Sequence, residues 1–303
     1  MSYTENYQKW LDFAELPAYL HDELVAMDEK TKEDAFYTNL EFGTAGMRGL
    51  IGAGTNRINI YVVRQATEGL AQLIDSKGEE AKKRGVAIAY DSRHFSPEFA
   101  FESAQVLAAH GIKSYVFESL RPTPELSFAV RHLHTFAGIM VTASHNPAPF
   151  NGYKVYGEDG GQMPPADADA LTDYIRAIEN PFTVQLADLE ESKASGLIEV
   201  IGENVDAEYL KEVKGVNINQ DLINEYGRDM KIVYTPLHGT GEMLARRALA
   251  QAGFEAVQVV EAQAVPDADF STVKSPNPEN QEAFALAEEL GRKVDADVLV
   301  ATD

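Results

Sequence analysis

The sequence predicts two consecutive α/β domains, each a mostly parallel sheet flanked by helices. Short apolar runs of strand length alternate with longer stretches of helical periodicity. The alternation occurs twice: Tyr90, Gly111 and Glu118 match Tyr234, Gly253 and Glu261 at offsets of 144, 142 and 143 residues. A length of 303 residues, 45% of them hydrophobic, suits two cores at roughly 150 residues per domain.

Residues 1–40 read as helical, with Trp10, Leu11 and Phe13 in one amphipathic stretch and Leu20, Leu24 and Met27 in another. The glycine-rich residues 41–54, which include Arg48, read as a loop, because so many glycines permit positive φ and close backbone approach. A helix over 61–84 follows, with Val62, Ala66, Leu70, Leu73 and Ile74 on its apolar face. Residues 86–90 form a strand. Ser96-Pro97-Glu98 starts a helix with a capping hydroxyl, a first-turn proline and an acid facing the dipole, and Gly111 stops it. Residues 112–117 are the next strand, Thr123-Pro124-Glu125 opens another helix with the same chemistry, and 137–142 is a third strand. The second unit repeats this with strands at 231–234, 256–260 and 298–302 and helices at 242–252 and 281–293. The expected domains are 1–205 and 206–303. The boundary falls in the acidic stretch 190–212, and the second domain has an unpaired sheet edge.

A net charge of −22 argues against non-specific nucleic-acid binding and against an anionic membrane surface, both of which favour positive charge. The absence of cysteine excludes disulfides, zinc ribbons and thiol chemistry. The first ten residues do not resemble a signal peptide, and no apolar run approaches the ~20 residues of a membrane span. A soluble cytoplasmic protein is expected.

Open α/β sheets bind ligands beyond the carboxyl ends of their strands. Beyond these strands lie Asp91-Ser92-Arg93-His94, then Thr142-Ala143-Ser144-His145-Asn146-Pro147 with Asn151-Gly152-Tyr153-Lys154, then the loop 235–241 with His238, and finally Asp303. Ser144 beside His145 reads as a nucleophile with an acid/base neighbour, or as an ordinary Ser–Asn–Pro turn. A hydrolase elbow needs small residues two before and two after the serine; Thr142 and Asn146 stand there instead, against an esterase. Arg48, Arg93, Arg121 and Lys154 are cations near strand ends in an acidic chain, the local charge an anionic phosphate needs, although Arg121 reads better as a surface ion pair. Gly239-Thr240-Gly241 imitates a dinucleotide fingerprint, but Leu244 replaces its third glycine. His238 reads equally as a loop-stabilising imidazole or a ligand contact. The same cations would serve a phosphosugar- or nucleotide-binding module without turnover.

Thr142-Ala-Ser-His-Asn-Pro147 resembles the phosphoserine loop of the phosphohexomutases, most closely the phosphoglucomutase/phosphopentomutase branch. Further motifs fall in that family's order: Phe42-Gly-Thr-Ala-Gly-Met-Arg-Gly49, Asp91-Ser-Arg93, Asn151-Gly-Tyr-Lys154, Thr235-Pro-Leu-His-Gly-Thr-Gly241 and Val298-Leu-Val-Ala-Thr-Asp303. The resemblance covers residues from about 15 to 303 and implies two three-layer α/β domains, the amino-terminal half of such a mutase. It implies that Ser144 carries a phosphoryl group and passes it to a hexose phosphate through glucose 1,6-bisphosphate. Arg48, Arg93, Lys154 and His238 would contact substrate phosphate. Arg48, His145 and Lys154 would assist transfer. Phosphoserine 144 and Asp303, the first of three metal-loop aspartates, would bind Mg²⁺. The expected reaction interconverts glucose 1- and 6-phosphates, with mannose or ribose phosphates as alternatives. Because the later aspartates and the sugar-binding domains would lie beyond Asp303, this chain alone is expected to be inactive.

Overall fold

A computed structural model describes residues 2–43 and 46–303; Met1, and Thr44 and Ala45 of the glycine–arginine motif, lie outside the described residues. Three helices open the chain: α1 (Tyr3–Leu11), α2 (Ala18–Ala26) and α3 (Glu29–Phe36). They bury Trp10, Leu20, Leu24 and Phe36, so the expected amphipathic stretches do face a core. Then follow β1 (Met47–Leu50), α4 (Ile60–Lys77), α5 (Glu79–Arg84), β2 (Val86–Tyr90), α6 (Ser96–Ala109), β3 (Ser114–Phe117), α7 (Thr123–His132), β4 (Ala137–Val141), β5 (Phe150–Tyr156), α8 (Pro165–Ala177), α9 (Leu189–Ala194), β6 (Ile198–Ile201) and α10 (Glu203–Gly215). The six strands order as β1-β5-β4-β2-β3-β6, with β4, β2, β3 and β6 parallel and β5 and β1 antiparallel.

β2 shows why its sequence is uniformly apolar. Val86, Ile88 and Tyr90 point into one core with α4, α6 and α8, while Ala87 and Ala89 point into another with α7 and α10. A parallel strand covered on both faces has no solvent side to leave polar.

The second unit comprises α11 (Gln220–Leu222), β7 (Ile232–Thr235), α12 (Glu242–Ala252), β8 (Val257–Val259), α13 (Glu261–Ala264), α14 (Ala285–Val294) and β9 (Val298–Ala301). Its three parallel strands order as β8-β7-β9, the arrangement of β3-β2-β4 in the first sheet, so the internal repeat is structural as well as sequential. Gly111 and Gly253 end equivalent helices with φ of +70° and +111°, a region that glycine enters without a Cβ penalty. Among the described residues no helix is long and apolar enough to cross a membrane.

Several local expectations need correction. The helix over 61–84 breaks at Gly78 into α4 and α5, and residues 1–40 form three helices. Arg48 lies on β1 rather than in a loop, paired with Gly152 of β5. The hydroxyls of Ser96 and Thr123 cap nothing: Phe95 and Pro122 occupy the N-cap positions, and Ser96 Oγ donates to Asp91 Oδ1 at 2.7 Å instead. The packing requirement of the Asp91 turn outweighs the local capping preference.

Candidate active site

β4 delivers Ser144 to the carboxyl end of the first sheet, with backbone φ of +56°. A non-glycine residue there is strained, and surrounding bonds must hold it. The Ser144 amide donates to Thr142 Oγ1 at 2.9 Å, and the Asn146 amide closes a turn on the Ala143 carbonyl at 3.2 Å. Ser144 Oγ faces outward, 3.5 Å from both His145 Nδ1 and Asp303 Oδ2. His145 Nδ1 lies 3.5 Å from the same carboxylate. Hydroxyl, imidazole and carboxylate thus meet although Asp303 comes from the other domain.

Arg48 Nη1 donates to Asn146 Oδ1 at 2.8 Å while its side chain stays exposed, so the guanidinium stands beside the serine loop with no other hydrogen-bond partner among the described residues. β1 can supply it because the chain crosses β5 closely: Gly46, with φ of +79°, sits against the Tyr153 carbonyl and the Lys154 backbone, where no Cβ fits. Lys154 projects from β5 opposite Met140 and lines the same cavity as Ser144. Burial holds its ammonium below the usual lysine range, Arg48 adds repulsion, and Asp303 and Asp91 oppose the shift.

Two residues expected at phosphate do something else. Arg93 is 2% exposed, and its Nη atoms donate to four carbonyls: Ser144 and Asn146 at 2.6 Å, Pro147 and Phe150 at 3.0 Å. Its Nε lies 3.2 Å from Asp91 Oδ2. Its four Nη donors are thus all engaged by the serine loop, and its buried Nε faces Asp91. His238 is also buried: Nδ1 donates to the Val265 carbonyl at 2.9 Å and Nε2 bonds Thr272 Oγ1 at 2.8 Å. It is the loop-stabilising imidazole. Arg121 forms an ion pair as expected, but a buried one, bidentate to Asp206 at 2.8 Å on each arm. Gly239 and Gly241 are pressed against Asp303 and Thr302, where no Cβ fits, so these glycines serve the close approach of the loop to the end of β9.

A cavity of about 410 Å³ lies between the two units. Its lining combines the polar Ser144, Lys154, Asp91, Thr302 and Asp303 with the apolar Leu210, Val213, Leu244 and Ala248. No cluster of three or more His, Asp or Glu side chains able to hold a metal occurs among the described residues. The donors at the site are hard oxygens, Ser144 Oγ and the Asp303 carboxylate, which suit Mg²⁺ in kind; one carboxylate leaves most of its octahedral shell to phosphate and water. Sequence reasoning overlooked Asn146 and Asn151. The Asn151 amide group donates to the His94 carbonyl at 3.0 Å and to Ser96 Oγ at 2.9 Å, joining the lysine strand to the Asp91 turn.

Family models described as phosphoglucomutase/phosphomannomutase, alpha/beta/alpha domain I and domain II match residues 39–182 and 207–303. The chain belongs to the phosphoglucomutase/phosphomannomutase family. A phosphoglucomutase from Staphylococcus epidermidis is 41% identical over 273 residues, 90% of this chain and 48% of the relative. One from Staphylococcus haemolyticus is 40% identical over 290 residues, 94% of this chain and 51% of the relative. The chain thus spans about half the length of these curated relatives. Among solved structures, a protein from Thermus thermophilus assigned as a phosphomannomutase superposes with a TM-score of 0.71 at 26% identity, over 88% of this chain and 55% of that one. The open form of parafusin, a phosphoglucomutase from Paramecium, superposes with a TM-score of 0.60 at 20% identity, over 86% of this chain and 48% of that one, and shares the fold. The two consecutive α/β/α domains are those of the phosphoglucomutase/phosphomannomutase family, with helices on both faces of the first, mixed sheet.

Proposed function

We propose that this chain supplies the phosphoryl-carrying half of a hexose-phosphate mutase acting on glucose 1- and 6-phosphates through glucose 1,6-bisphosphate. The observation that carries the reading is Ser144 itself: a hydroxyl held in a strained conformation at a cavity mouth, among Arg48, Lys154, His145 and Asp303. Phosphoryl transfer asks for positioning and charge stabilisation more than covalent chemistry. Arg48 provides free donors for phosphoryl oxygens. Lys154, its ammonium weakened by burial, is placed to give up or take a proton at the sugar oxygen. His145, beside Ser144 Oγ, is placed to accept the hydroxyl proton when serine is rephosphorylated. Phosphorylated Ser144 and Asp303 would hold Mg²⁺, which when bound neutralises phosphoryl oxygens.

Glucose 1,6-bisphosphate incubated with the purified chain and Mg²⁺ should add ~80 Da at Ser144, and Ser144→Ala should abolish the addition. In a protein of the relatives' full length, Ser144→Ala should lower mutase turnover by orders of magnitude. A rate above about a tenth of wild type, a barrier change of only ~1.4 kcal/mol, would remove Ser144 from the chemistry. The chain by itself should not sustain turnover of glucose 1-phosphate in a coupled dehydrogenase assay.

A further inference from the structure

The second domain touches the serine loop through a segment that the proposed chemistry does not use. Phe270 is 5% exposed and stacks its ring on Arg93, 4.9 Å from the guanidinium carbon. Arg93 is the residue whose four carbonyl bonds shape the loop around Ser144. Phe270 is itself held in place. The Asp267 carboxylate accepts from the amides of Asp269 at 3.0 Å and Ser271 at 2.9 Å. His238 ties down both ends of the segment, through the Val265 carbonyl and Thr272 Oγ1. Gln263 adds a bond to Thr272 at 3.1 Å and accepts one from Thr235 at 2.6 Å. Two contacts flank the ring: His94 Nε2 with Asp269 Oδ1 at 2.7 Å, and Ser275 Oγ donating to the His145 carbonyl at 3.4 Å.

Backbone strain follows the same path. Among the described residues seven non-glycines have positive φ, and five of them are Phe95, Ser144, Leu237, His238 and Phe270. Strain of this kind persists where packing over-determines the backbone.

We propose that Phe270 is a positioning residue for Ser144. Its ring seals the outer face of the Arg93 guanidinium, so water does not compete for the four carbonyls, and the loop keeps the geometry that presents Ser144 Oγ. Charge-assisted bonds strengthen where water is excluded, and a guanidinium on an aromatic face gains most when desolvated. His238 acts one step further back, by seating the segment that carries the ring. Serine presentation therefore depends on the docking of the second domain. The catalytic consequence rests on the phosphoserine reading above; the loop geometry does not.

The test compares Phe270→Leu, which keeps bulk and apolarity but loses the π face, with Phe270→Tyr, which keeps the ring. Amide hydrogen exchange is read at residues 143–146 and, as a folding control, along α6. Phosphorylation of Ser144 by saturating glucose 1,6-bisphosphate is followed by intact mass. Phe270→Leu should exchange roughly tenfold faster at 143–146, with α6 unchanged, and should be phosphorylated correspondingly more slowly at unchanged bisphosphate affinity. Phe270→Tyr should restore both. Wild-type exchange at 143–146 in Phe270→Leu overturns the proposal, as does loosening that Phe270→Tyr shares. If the wild-type chain takes no phosphate while the exchange pattern holds, the positioning of the loop stands and the phosphoserine reading falls.

Discussion

Arg93→Lys separates charge from geometry at the serine loop. The arginine fork satisfies four carbonyls at 2.6–3.0 Å and keeps Nε beside Asp91. A lysine ammonium keeps the positive charge against Asp91 but has three N–H donors at one point, so one or two of the carbonyls lose their partner. At about 1–3 kcal/mol per unsatisfied buried group, the substitution should cost about 3 kcal/mol. For a domain of this size a kilocalorie moves the midpoint by roughly 2–4 °C, so the transition of the first domain should fall by roughly 6–12 °C in scanning calorimetry. Arg93→Met should cost several kcal/mol more, because Asp91 is then buried without its counter-charge. Phosphorylation of Ser144 should fall at least tenfold in the lysine variant even at 20 °C, where it remains folded, since the strained loop loses what holds it. A lysine variant that melts within a degree of wild type and takes phosphate at the wild-type rate would refute the view that Arg93 shapes the loop.

Arg48→Ala should leave the unfolding free energy within ~0.5 kcal/mol of wild type, because the side chain is exposed, yet weaken bisphosphate binding in calorimetric titration; unchanged affinity removes it from the site. His110 closes α6 onto α4 through Asp75 at 2.6 Å and Glu68 at 2.9 Å, and these carboxylates raise its pKa from 6.5 to about 8. A raised folded-state value stabilises fully below pH 6.5 and fades as pH rises through about 8. Full linkage would give about 2 kcal/mol, which partial exposure screens to about 1, so His110→Gln should remove about that much of the stability lost between pH 6 and 9 in urea titrations. Glu125 is wholly buried, and burial followed by the neighbouring Asp206 raises its pKa to about 9. Glu125→Gln should therefore unfold at nearly the wild-type temperature at pH 7, whereas Asp206→Asn, which strips the counterion from buried Arg121, should lose several kcal/mol.

The repeating βα units were legible because residues 86–90 and 137–141 are buried on both faces and so are continuously apolar. β1 and β5 were not legible. Their residues include Arg48, Asn151 and Lys154, which serve the site or the Asp91 turn, and a strand whose polar positions are functional loses the pattern that marks it. The helix starts at Ser96 and Thr123 were read correctly in position and wrongly in mechanism. Proline and the first-turn acid sufficed to set the ends, and Ser96 was free to bond Asp91.

Among the four cations the error had a physical pattern. Composition and strand-end placement say that a charge is near the site, but whether it faces a ligand or the protein depends on what else claims its donors. Arg93 has Asp91 two residues before it, and Arg121 has Glu118 three before it; both arginines are buried in protein-facing networks. Arg48 has no acid among the six residues on its amino-terminal side, and Lys154 sits on a strand whose next acid, Glu158, lies beyond its end at Tyr156; both line the serine's surroundings. The distinction follows from desolvation. An arginine buried to shape a loop needs a carboxylate nearby to keep its charge, and a local acid is the cheapest to place. A cation meant for phosphate is better left without one, because a standing carboxylate would compete with the incoming anion. Arg121 still draws its main partner from Asp206, 85 residues away in sequence, so a local acid marks a protein-facing cation without naming its partner.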